Sequence, residues 1–203
     1  MIARFLTSLV RLFTGAHARW AGCPPVHETP RVYFANHTSH LDFVLLWSSL
    51  PHSLRVKTRP AAAADYWGAG KFRSWLAKGI FNAVLIERVR VTKANHPVTQ
   101  LLEAMKGGDS IIIFPEGTRN PNSSGEMSEF KSGLYHLARE RPDAELIPVY
   151  LENLSRVLPK GELLPVPILC AVTFGAPVKL ADGELKEEFL KRARAAVAHL
   201  HTP

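Results

Sequence analysis

The sequence predicts an α/β fold: a single, two-layer sandwich-like domain whose mixed or mostly parallel sheet is covered by helices, preceded by an N-terminal amphipathic helix. Three observations point there. Short strand-like runs alternate with helical segments along the chain. Ser110 to Phe114 is a continuous apolar run, the mark of a strand buried on both faces. And 203 residues with no internal repeat or low-complexity tract suit one domain with a sizeable core.

The elements follow in order. Between Met1 and Trp20 the apolar residues Ile2, Phe5, Leu6, Leu9, Val10, Leu12, Phe13, Ala16 and Trp20 recur near helical spacing, with Arg4, Arg11 and Arg19 off the centre of that face. Such a helix suits an anionic bilayer surface, and it equally suits an ordinary packing against the core. Residues 1–22 are taken as this amphipathic membrane-surface helix and 23–203 as the main domain. Cys23-Pro24-Pro25 and Thr29-Pro30 mark a loop. Arg31 to Ala35 is a strand, Phe43 to Leu50 a helix stopped by Pro51, and Leu54 to Lys57 the next strand. Lys71 to Ala77 is helical, Val84 to Arg88 a strand, and Pro97 to Lys106 a helix with Pro in its first turn and Gly107-Gly108 as its stop. Ser110 to Phe114 is the central strand and Ser128 to Arg139 a helix. Leu146 to Tyr150 and Ile168 to Phe174 are strands, and Gly183-Glu184 opens a final helix reaching about Leu200. Asn120 to Gly125 is the expected mobile loop.

The net charge of +7 and pI of about 9.6 call for an anionic partner: nucleic acid, an anionic membrane or a phosphorylated substrate. Nucleic acid is disfavoured, because no recognition-helix, zinc-finger or ribonucleoprotein motif is present. Cys23 and Cys170 make neither a disulfide framework nor a metal site, and fit a reducing compartment. With no run of about 18 uncharged apolar residues, neither a transmembrane helix nor a signal peptide is expected.

Two stretches carry chemistry. In Asn36-His37-Thr38-Ser39-His40-Leu41-Asp42 an imidazole and a carboxylate stand at a fixed separation after a strand. That arrangement makes a general base for a hydroxyl: Asp42 holds one ring nitrogen and the other takes the proton. The same Ser39-x-x-Asp42 also reads as a helix capping box. His40 is expected to lie outside the reacting pair. In Phe114-Pro115-Glu116-Gly117-Thr118-Arg119, a glycine, a hydroxyl and a guanidinium follow the buried strand, where open α/β sheets bind ligands. Arg119 suits a phosphate, held bidentately, with Thr118 and the Gly117 backbone as further donors. No G-x-S-x-G nucleophile motif is present, so direct transfer without a covalent intermediate is the simpler mechanism.

These two stretches resemble the first and third motifs of the 1-acylglycerol-3-phosphate acyltransferase family, the glycerolipid acyltransferases. Val84-Leu85-Ile86-Glu87-Arg88 resembles the second motif, Ile147-Pro148-Val149-Tyr150 the fourth, and Phe130-Lys131-Ser132-Gly133 the helix that follows the third. Order and spacing match over roughly residues 31 to 180. Glu87 stands where many members have Asp or another short residue, His40 where a bulky residue is common, and Ala61 to Trp67 mark a subgroup.

The resemblance implies an O-acyltransferase that moves a fatty acyl group from an acyl thioester to a lysophospholipid hydroxyl, converting 1-acylglycerol-3-phosphate to phosphatidate. His37 is then the catalytic base and Asp42 its partner, while Arg88, Glu116, Gly117, Thr118 and Arg119 shape the phosphate-bearing acceptor site. Acyl-CoA or acyl carrier protein is a co-substrate; no cofactor and no metal are implied. The protein is expected to work peripherally, at the cytoplasmic face of a membrane. The alternatives are a different lysolipid acceptor, or a non-catalytic domain that binds anionic membrane.

Overall fold

A computed structural model describes residues 2–39, 41–88, 91–92, 95–119, 127–152 and 170–201. His40 and the expected 120–125 loop lie outside the described residues, as does the start of the last expected strand at Ile168. Seven described strands form one sheet: β1 (His17–Trp20), β2 (Arg31–Ala35), β3 (Thr58–Ala63), β4 (Val84–Ile86), β5 (Ser110–Ile113), β6 (Glu145–Leu151) and β7 (Ala171–Phe174). Their spatial order is β1-β7-β6-β2-β5-β3-β4. Every neighbouring pair is parallel except β6 with β7.

The described helices are α1 (Ile2–Thr14), α2 (Asp42–Ser49), α3 (His52–Arg55), α4 (Ala64–Trp67), α5 (Lys71–Trp75), α6 (Pro97–Met105), α7 (Gly133–Glu140) and α8 (Lys186–Ala198), with a π-helical turn, Leu76–Ile80, continuing α5. They cover both faces of the sheet. Alternation along the buried strands sends Tyr33, Ala35, Ile112, Ile147 and Val149 into one core with α2, Trp67, Ala77 and Phe81. Val32, Phe34, Ile111, Ile113 and Leu146 enter the other, with α6, α7 and α8. The arrangement is helix–sheet–helix, one layer more than the two-layer reading.

Several boundaries differ from the sequence reading, each for a physical reason. The first helix stops at Thr14, where Gly15 takes φ of 54°, and does not run to Trp20. Residues 17–20 instead add an edge strand, and Trp20 stacks on Phe174 with ring centroids 4.0 Å apart. The inner side of α1, Ala3 and Val10, packs on the core, while Ile2, Phe5 and Leu12 stay exposed. Leu54–Lys57 is not a strand: the amides of Leu54 and Arg55 bond back to the Pro51 carbonyl and wind a helical turn. The strand comes later, at Thr58–Ala63, where pairing with β4 and β5 overrides the weak β-propensity of Pro60 and three alanines. The helix expected from Ser128 begins at Gly133. Ser128 and Lys131 are held short of it by bonds to the Glu116 carboxylate and the Pro115 carbonyl.

Candidate active site

Parallel pairing brings the carboxyl ends of β2, β5, β3 and β4 to one edge of the sheet. Phe34 is in register with Ile113, and His37 and Glu116 each lie three residues beyond that pair. Ala63 is in register with Ile86, and Asp65 and Arg88 each lie two residues beyond. Asn36 secures the end of β2: its side-chain amide donates to the Leu151 carbonyl at 3.0 Å and accepts the Leu151 amide at 2.8 Å.

His37 Nδ1 and Asp42 Oδ2 are 2.8 Å apart, and Asp42 is fully buried. An ionised carboxylate only accepts, so Nδ1 is the donor in this contact, and in the neutral ring that leaves the lone pair on Nε2. The same Oδ2 accepts the amides of Thr38 at 2.6 Å and Ser39 at 2.8 Å. One oxygen of Asp42 thus holds the imidazole and ties back the Thr38–Ser39 backbone just ahead of α2. The N-cap of α2 itself is Leu41, with no side-chain cap bond, so the capping box expected from Ser39 and Asp42 does not form as such. The imidazole lies nearly flat on Phe114, with centroids 4.4 Å apart, and its backbone amide donates to Glu116 Oε1 at 2.7 Å. The other oxygen of Glu116 accepts the Ser128 amide at 2.9 Å. Glu116 thus works from behind the site, fastening the His37 backbone to the loop after β5.

Arg88 reaches the same loop. Its Nη1 donates to the Gly117 carbonyl at 3.3 Å, and its Nη2 donates to both oxygens of Asp65 at 2.9 and 3.0 Å. Hydrogen bonding to Arg88 is the main reason the Asp65 carboxyl is held below the usual range. Gly117 has φ of 72°, and a Cβ there would fall 2.6 Å from Lys131 Nζ. The glycine permits both the turn and the close approach of the lysine.

Two recesses meet at His37 and Arg88. One, of about 290 Å³, is lined by Tyr66, Trp67, Thr118 and Arg119. The other, of about 350 Å³, has Lys131 and Gly117 at one side and Ile86, Val98, Leu101, Leu134 and Leu137 along its apolar wall. A third recess, of about 380 Å³ between Tyr150, Lys191, Arg194 and His201, includes a fourth-motif residue, Tyr150, but none from the first three motifs. His37, Asp42, Arg88, Gly117, Thr118 and Arg119 thus lie together at one end of the sheet. Asp65, Phe114 and Lys131 join them unforeseen. Phe114 and Lys131 had a local signal, in and just after the third motif; Asp65 declares itself through strand register.

Helices on both faces of a mostly parallel sheet, with a His–Asp pair and cationic side chains beyond the carboxyl ends of its strands, make an α/β architecture with an imidazole beside a cluster of guanidinium groups. The Acyltransferase family profile matches residues 19–152, and the chain belongs to that family. It is 31% identical over 157 residues to 1-acyl-sn-glycerol-3-phosphate acyltransferase alpha of Ovis aries, covering 76% of this chain and 50% of that protein. It is 26% identical over 157 residues to the 1-acyl-sn-glycerol-3-phosphate acyltransferase of Saccharomyces cerevisiae, covering 77% and 50%. The chain thus spans about half the length of these relatives. In fold it is similar to the crystal structure of the 1-acyl-sn-glycerophosphate acyltransferase PlsC from Thermotoga maritima: TM-score 0.70 at 19% identity, over 98% of this chain and 79% of that one.

Proposed function

We propose that this protein transfers a fatty acyl group from an acyl thioester to the free hydroxyl of 1-acylglycerol-3-phosphate, forming phosphatidate. The observation that carries the reading is the position of His37. With Nδ1 engaged by Asp42, its ring lines both a cationic recess and an apolar recess, which suits an acceptor bearing both a phosphate and hydrocarbon. Relatives named for this activity support it.

In this mechanism Nε2 takes the hydroxyl proton as the oxygen attacks the thioester carbonyl carbon. The tetrahedral intermediate collapses by breaking the carbon–sulfur bond. The departing sulfur receives the proton from the imidazolium, so His37 ends the cycle neutral and the thiol leaves. Asp42 keeps the ring in its tautomer and offsets the positive charge while it lasts. Arg88, Thr118, Arg119 and Lys131 hold the acceptor phosphate, with Glu116 and Gly117 shaping the loop that presents them. The thioester, as acyl-CoA or acyl carrier protein, is a co-substrate, and no cofactor or metal enters the cycle.

The acceptor and product are bilayer lipids, so the protein docks peripherally on an anionic membrane, on the cytoplasmic side where the thioester donors are found. The exposed Ile2, Phe5 and Leu12 of α1 suit that contact. Among the described residues no helix is long and apolar enough to cross a membrane.

A second reading keeps the chemistry and changes the acceptor's head group. It is favoured by Asp65, a carboxylate already holding Nη2 of Arg88 at the edge of the anion site. Purified protein with acyl-CoA and a panel of lysolipids, read by product mass, separates the two. Phosphatidate as the dominant product supports the first. Preferred acylation of a lysolipid lacking a terminal phosphate supports the second, and no acylated product sinks both.

A further inference from the structure

The segment 71–80 has a construction that acyl transfer at His37 does not require. No residue of α5 is buried; Phe72 is 70% exposed and Trp75 48% exposed, with their ring centroids 6.0 Å apart. The next turn is anchored from within: Ala77 is fully buried, and Leu76 and Ile80 pack on the same core as α1. Lys71, Arg73 and Lys78 accompany the two aromatics, and no Asp or Glu occurs between Asp65 and Glu87. A ten-residue helical stretch thus keeps its inner side on the core, carries two large apolar rings in solvent, and bears three cations and no anion.

We infer that residues 71–80 form a membrane-docking element for an anionic lipid bilayer, separate from α1. Phe72 and Trp75 enter the boundary between head groups and acyl chains, where aromatic rings are favoured. Lys71, Arg73 and Lys78 stay at the level of the anionic head groups, their aliphatic stems lying along the apolar layer. The occupant is lipid because the face is positive throughout and aromatic at its centre, a complement to a negatively charged surface over an apolar interior. Location agrees. The Arg73 guanidinium lies 4.9 Å over the Tyr66 ring, and Tyr66 lines the recess that holds His37 and Arg88. A bilayer held at Phe72 and Trp75 therefore adjoins the entrance to the candidate active site, so a lysolipid passes from one to the other without crossing water. The inference rests on the proposed acceptor being a lipid only for its purpose; the docking itself is independent of turnover.

The test measures binding to vesicles of phosphatidylcholine and phosphatidylglycerol in equal parts, at low and high salt, with no acyl donor present. Phe72→Ala/Trp75→Ala is expected to weaken co-sedimentation at least tenfold, with circular dichroism and melting unchanged because neither side chain is buried. Lys71→Gln/Lys78→Gln is expected to weaken it chiefly at low salt. With bromine-labelled acyl chains in the vesicles, Trp75→Phe is expected to keep binding yet lose most of the tryptophan quenching, since Trp47 and Trp67 are buried and Trp20 stacks on Phe174. Wild-type binding by the Phe72/Trp75 double variant would overturn the inference. So would quenching that persists in Trp75→Phe, or binding lost only in a Phe5→Ser/Leu12→Ser variant of α1. Self-association abolished by the double variant, with vesicle binding untouched, would make the face a protein contact and overturn it too. Since no reaction is read, failure here leaves the proposed acyl transfer standing, and failure of the lysolipid panel leaves the docking standing.

Discussion

Asp42 Oδ2 accepts the Nδ1 proton of His37 at 2.8 Å, and the same atom accepts the Thr38 and Ser39 amides. One buried oxygen therefore holds the His37 ring and ties down the backbone just ahead of α2. The two roles separate by mutation. His37→Ala is expected to lower turnover by about 100- to 10,000-fold with little change in melting temperature. Asp42→Ala is expected to lower both, because two amides lose their acceptor at about 1–3 kcal/mol each, and each kcal/mol is worth about 2–4 °C for a chain of this size. Kinetics paired with thermal denaturation decide it; equal melting points for the two variants would remove the structural role.

Arg119 lines the same recess as His37, Arg88 and Thr118. Its charge-assisted contact to phosphate is expected to contribute about 1.5–3 kcal/mol, so Arg119→Ala should raise the acceptor KM roughly 10- to 150-fold and the thioester KM far less. Arg119→Lys should recover only part, having no bidentate fork. Steady-state kinetics with each substrate varied in turn is the measurement, and equal effects on both substrates would move Arg119 out of the acceptor site.

Gly117 combines φ of 72° with the close approach of Lys131. Gly117→Ala is therefore expected to cost about 1–2 kcal/mol of stability from the left-handed backbone, and to raise the acceptor KM by displacing the lysine. Lys131→Met should raise that KM with no backbone penalty. Chemical denaturation and acceptor titration of the pair resolve the two effects; an unchanged KM in Lys131→Met would confine the lysine to packing.

Burial pushes the Cys170 thiol up from 9.0 to about 11, and the Tyr33 phenol from 10.0 to about 12. In both cases the folded-state value is raised, so the unfolded chain ionises first. The contribution to stability is whole below pH 9 and is lost as pH rises, over about 9–11 for the thiol and 10–12 for the phenol. One group titrating in this way changes stability by about 1.4 kcal/mol per pH unit inside its window. Denaturant titrations from pH 8 to 11 should show the fall beginning near pH 9, and Cys170→Ser should blunt its first part. Native Cys170 should also resist alkylation at pH 8, where almost none of it is thiolate.

Local sequence was enough to find the chemistry where a motif is local. His37 and Asp42 are five residues apart, between a strand and a helix start, and that geometry needs no distant partner to form. Ile111 to Ile113 announced an interior strand because a strand buried on both faces is apolar along most of its length. The rest depended on pairing between remote segments. Thr58–Ala63 is a strand only because β4 and β5 flank it, and His17–Trp20 is one because β7 offers an edge; neither stretch carries a strong β pattern of its own. The bond from the His37 amide to Glu116 spans 79 residues, and that from Arg88 to Asp65 spans 23. Strand register, a property of the assembled sheet, sets Glu116 level with His37 and Asp65 level with Arg88. The sequence by itself determined which titratable and cationic groups stand in each motif. The tertiary structure decided which of them meet, because hydrogen-bonded strand pairing fixes distances that spacing along an unfolded chain leaves open.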